Sequence, residues 1–155
     1  MPFTPGPGHI QTTAAAPSGT TDATGKMMGL GASAPLWTLT PQVTGRVLIM
    51  ISGSMGTAAT AETCGVTLYY GTGTAPANVD AITGTAIGTV LTFVTLTGML
   101  RTPFAAHAIV TGLSVPSIDA NRQTRTATPV WFDVAAKTSA GTVTLTLLNL
   151  TAFEF

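Results

Sequence analysis

The chain of 155 residues offers little with which to do chemistry: two histidines, six carboxylates, two lysines, four arginines and one cysteine. An enzyme needs titratable groups that converge, with a base beside a nucleophile or paired acids across a cleft. His9 and His107 lie far apart in sequence, and His107 stands between Ala106 and Ala108 in a strand-like run. The motifs G-x-S-x-G, H-E-x-x-H and G-x-x-x-x-G-K are missing from the sequence, as is an EF-hand calcium loop. Asp80 and Asp119 fall in loop-like stretches, Asp133 inside WFDV and Glu154 one residue from the end, where solvation or local turn bonding accounts for them. The expectation is a protein without catalytic residues, cofactor or bound metal. Cys64, the single cysteine, excludes an intramolecular disulfide and reads as a half-buried strand residue.

Composition narrows the partners. Apolar residues make up 45% and charged residues 8%, and the six basic and six acidic residues cancel. Little repulsion keeps copies of such a chain apart, so self-association is expected, as a trimer in preference to a dimer. Arg46 and Arg101 are isolated, leaving only the Arg122 and Arg125 pair, so no basic stripe invites nucleic acid. No run reaches the roughly 20 apolar residues of a membrane span. MPFTPGPGHI has neither the charged nor the apolar region of a secretion signal, and synthesis in a cytoplasm is expected. The sequon at Asn149 carries no meaning without a secretory route.

The elements that would position these groups are strands. From Pro35 onward, Thr, Val, Ile and Leu recur in short runs punctuated by Gly and Pro at intervals of about ten residues, as in a sandwich or barrel. The alternation predicts strands at 36–40, 45–52, 64–70, 87–97, 104–110, 130–135, 142–148 and 150–155. About eight strands make an all-β, jelly-roll-like sandwich, with an immunoglobulin-like sandwich as the alternative. Trp37, Tyr69, Tyr70, Trp131 and Phe132 fit core or subunit contacts better than a sugar-stacking platform.

Residues 1–34 differ from the rest. Pro2, Pro5, Pro7 and Pro17 remove backbone donors and no period of 2 or 3.6 is sustained, so this part reads as an extended N-terminal arm, with residues 35–155 as the β-sandwich domain. Phe3, Ile10, Met27, Met28 and Leu30 are its apolar anchors, expected to lie on neighbouring subunits. On that reading, deleting residues 1–34 leaves the domain folded and weakens attachment. The glycines of GKMMGLG, residues 25–31, follow no strand and open no helix, which argues against a phosphate loop.

The stretches TPQVTGRVLIMISG (40–53), YGTGTAPANVDAITGTAIG (70–88) and TPVWFDVAAKTSAGTVTLTLLNLTAFEF (128–155) resemble a group of small tailed-phage and prophage proteins, over most of residues 36–155. The closing GTVTL strand and aromatic-rich last strand are also similar to trimeric jelly rolls of the C1q and tumour-necrosis-factor type, though no collagen-like or coiled-coil segment precedes the domain. The resemblance implies a virion protein, most simply a capsid decoration or cement protein partnered by itself and by the major capsid protein or other virion proteins. A tail-fibre or receptor-binding tip is the alternative.

Overall fold

The computed structural model describes residues 9–13, 20–32, 37–57, 62–94, 101–118 and 120–155. These contain eleven strands: β1 (His9–Thr13), β2 (Lys26–Met27), β3 (Thr38–Leu39), β4 (Val47–Thr57), β5 (Thr63–Thr72), β6 (Thr85–Val94), β7 (Thr102–Val110), β8 (Ser117–Ile118), β9 (Thr124–Arg125), β10 (Val130–Thr138) and β11 (Val143–Glu154). A front sheet runs β1-β11-β4-β7 and a back sheet runs β2-β10-β5-β6, with β3 also on β10; every pairing is antiparallel. Two interleaved sheets in this order are a jelly roll. The immunoglobulin-like alternative has a different strand order and does not fit.

The core follows from period-2 alternation. On β4, Val47, Ile49 and Ile51 point inward and are buried, while Met50 and Ser52 point out. On β10, Val130, Phe132, Val134 and Ala136 join the same intersheet core. The expected strands at 142–148 and 150–155 are one strand. Its register against β4 shifts between Thr146 and Asn149, so Val143 and Leu145 face inward before the shift and Leu148, Leu150 and Ala152 after it. A change of parity inside a continuous strand reads in sequence as a break between two.

Residues 22–28 and 37–39 run antiparallel alongside β10. Thr138 N–H donates to the Asp22 carbonyl, Ala136 and Ala135 pair with Lys26 and Met27, Met28 N–H donates to Val134 O, and Trp131 and Val130 pair with Thr38 and Leu39. β2 and β3 are thus two halves of one sheet position, interrupted where the chain leaves the ladder after Met28. The described parts of the expected arm, residues 9–13 and 20–32, thus belong to the fold. Met27, Met28 and Leu30 are 0%, 1% and 3% exposed within the chain's own fold, and β1 supplies an edge strand in which Ile10 pairs with Ala152. Three of the proposed anchors are therefore core residues, unavailable to a partner, and Phe3 lies outside the described residues. The expected boundary at 34–35 lies outside the described residues.

The long loop between β5 and β6 closes over the same region. Val79 N–H donates to Met27 O at 2.9 Å and Met27 N–H to Asp80 O at 3.1 Å, extending the back sheet past β2. Gly71 on β5 lets the Trp131 ring lie directly against the strand, since a Cβ there would sit 2.8 Å from Trp131 Cε2.

Two outcomes follow. Deleting residues 1–34 removes β1, β2 and three core side chains, each worth about 2–5 kcal/mol on truncation against a total of about 5–15 kcal/mol. The truncated chain is expected to lose its cooperative melting transition by circular dichroism, not to keep it. Val79 holds φ at 63° with a β-branched side chain 49% exposed, a conformation costing an L residue roughly 1–2 kcal/mol. Val79→Asn should raise stability by about 1 kcal/mol in urea unfolding, with the slope unchanged.

Candidate functional site

Two of the four acids expected to be solvated or bonded in turns are the most deeply buried carboxyl groups described. Asp133 and Glu154 are each 0% exposed. Asp133 sits in the middle of β10 on the outward side of the back sheet, opposite the gap between β2 and β3. Its Oδ2 accepts Gly29 N–H at 2.9 Å, and its Oδ1 accepts Leu30 N–H at 3.1 Å and its neighbour Val134 N–H at 2.7 Å. A carboxylate thus serves backbone donors that have left the ladder. Burial pushes the Asp133 carboxyl up from 3.8 to about 6, against the pull of N–H donors from Leu30, Val134, Gly29 and Met28.

Glu154 ends β11 on its inward side. Its Oε2 accepts Gln42 N–H at 2.6 Å, and its Oε1 accepts Val43 N–H at 2.9 Å, Gly45 N–H at 2.7 Å and Thr44 N–H. Successive amides curled around one anion form a nest. Gly45 makes the curl with φ of 65°, and its carbonyl accepts Leu113 N–H. Burial raises the Glu154 carboxyl, but the N–H donors of Gln42, Gly45, Val43 and Thr44 outweigh it and hold the group near 2, below its ordinary 4.5.

Other reactive groups are dispersed. Cys64 is buried, its thiol pushed up by burial and by Glu62 against a 3.8 Å contact with Thr138 Oγ1. His107 is exposed on the front sheet. Among the described residues no three His, Cys, Asp or Glu side chains group as metal ligands would. Trp37, Trp131 and Phe132 are buried, which removes them from any exposed stacking platform.

What the fold does present is two unlike faces. On the back sheet the outward side chains Met27, Trp131 and Ala135 form a second small core with Tyr69 and Ala75, covered by the strap of residues 22–32 and the β5–β6 loop. The outer face of the front sheet carries Leu48, Met50 and Ser52 of β4, Ala105, His107 and Ile109 of β7, and Asn149, Thr151 and Phe153 of β11, with Met50 41% and Ile109 53% exposed. At one end Arg46 lies 4.8 Å over the ring of exposed Phe155. No carboxylate stands in these rows, which makes this face the candidate interaction surface. Sequence reasoning missed it because β4 is apolar at both parities from Val47 to Ile51, which reads as burial on both sides.

Replacing one oxygen of either carboxylate with an amide sets a donor against a donor. Asp133→Asn and Glu154→Gln are each expected to cost about 1–3 kcal/mol in chemical unfolding. Their pH dependences oppose. The raised Asp133 favours the fold while protonated, a contribution present below its ordinary 3.8 and lost as pH rises through about 6. The lowered Glu154 favours the fold while ionised, a contribution present above 4.5 and lost as pH falls towards 2. Melting temperature against pH should show an acid limb that Glu154→Gln flattens.

No protein-family model and no curated protein matches the chain. Among solved structures it is similar to a chain of infectious bursal disease virus, Gx strain, at 16% identity and a TM-score of 0.21. That likeness covers 97% of this chain and 38% of the other, so the chain spans well under half the length of the viral protein it matches. A likeness at that level fixes neither a shared fold nor a shared role.

Proposed function

We propose that the chain is a structural protein of a virus particle that works by surface contact and not by catalysis, and more narrowly a decoration or cement protein of a bacteriophage head. The observation that carries the reading is the jelly roll itself, an architecture common in viral capsid domains, here with its buried acids spent on holding loops. The fold alone does not imply the role. A composition so poor in charge supports it. In this role His107 and Asp133 carry no catalysis; their replacement by Ala alters stability or assembly only. A tail-fibre or receptor-binding tip is the second reading, since lectin domains use the same architecture.

Copy number separates the two. Quantitative mass spectrometry of purified particles, scaled to the major capsid protein, is expected to find this chain in hundreds of copies. A handful of copies would favour the fibre tip, and none would remove the chain from the virion.

A further inference from the structure

The strand register arranges the outer face of the front sheet in rows of graded size. Leu48 pairs with Ile109 on one side and Phe153 on the other, giving a bulky row. Met50 pairs with His107 and Thr151 to give a middle row, and Ser52 with Ala105 and Asn149 to give a small one. The sheet surface accordingly dips: Met50, Ser52, Ala105, His107, Asn149 and Thr151 surround a shallow depression of about 420 Å³, while the bulky row stands beside it.

We propose that this face docks against the same face of a second copy, about a two-fold axis lying in the interface along the middle row. Rotation about that axis reverses position along the strands, so the Ile109–Leu48–Phe153 row of each copy meets the Ala105–Ser52–Asn149 row and depression of the other. Bulk meets hollow twice. Charge permits the contact: the three rows hold no carboxylate and no lysine or arginine, and Arg46 stands at the rim against Phe155.

Area permits it as well. Four strands about 4.8 Å apart and three rows about 7 Å apart make roughly 400 Å² of flat sheet per copy and about 800 Å² for the pair, before the relief of the side chains is added, the size of a weak and transient contact. A two-fold contact uses one self-complementary patch, whereas a three-fold ring needs two different patches on each copy. Among the described residues the other large exposed apolar side chains are Phe155, at the rim with Arg46, and Val43, Val79, Ile82 and Ile118, in loops and a short hairpin outside this face. The geometry therefore favours a dimer over the trimer expected from sequence.

The test uses the purified full chain without particles, so its outcome is independent of the virion reading. Sedimentation up to about 100 μM, above the micromolar range expected of so small an interface, should show a monomer–dimer equilibrium. Ile109→Lys and Ala105→Lys, both at exposed positions, should each weaken it at least about tenfold. Oxidation by dilute hydrogen peroxide supplies a readout needing no variant: Met50 sulfoxide should form more slowly at high protein concentration, with Met27, Met28 and Met55, all buried, as internal references. A monomer throughout, a dimer indifferent to both substitutions, or Met50 oxidation independent of concentration would each overturn the proposal.

Discussion

The architecture turns on a carboxylate placed where a β-ladder is broken. Residues 22–28 follow β10 from Thr138 to Val134, then the chain leaves the ladder, and it is back on β10 at Trp37, whose carbonyl accepts Phe132 N–H. Amides that leave a ladder inside a protein must find acceptors or cost the fold dearly. Asp133 supplies them, taking the N–H groups of Gly29 and Leu30 together with its own neighbour's. The strap is thereby held down, with its Met27 packed on Trp131 and Ala135 and its Leu30 in the main core. Without that acceptor the outward side of the back sheet, with Trp131 and Ala135, would stand open to water.

Glu154 does the corresponding work for the front sheet, gathering the turn of residues 42–45 onto the end of β11. Neither acid has a described ion-pair partner; both are compensated by backbone dipoles, which need no second buried charge. The balance differs between them. Four amides prevail over desolvation at Glu154, whereas desolvation prevails at Asp133. The consequence for function is an asymmetry: the chain covers one sheet with its own strap and loop, and no described segment covers the other. A molecule whose acids serve structure, and whose described residues present one weakly charged sheet face, is suited to binding by surface.

The regular strands were legible because their signal is local. Val47, Ile49 and Ile51 announce β4, and Val66, Leu68 and Tyr70 announce β5, through simple alternation. The strap was not legible, because β2 is two residues long and its neighbours Gly25, Gly29 and Gly31 carry no period; its burial is decided by Asp133, more than a hundred residues away. The same distance hid the role of the acids. One signal was available: a carboxylate at an interior strand position between Phe132 and Val134 belongs to a residue type seldom fully buried without a partner, so a partner should have been sought. β11 was split in two because its parity changes at the register shift, which only the pairing with β4 reveals.

The central claim is that the strap of residues 22–32 belongs to the cooperative core through Asp133, and residue-resolved amide hydrogen exchange measures this most directly. The account predicts that the amides of Gly29 and Leu30 exchange as slowly as ladder amides of β10 such as Phe132, through global unfolding. Exchange at the rate of exposed loops, with β10 still protected, would contradict it.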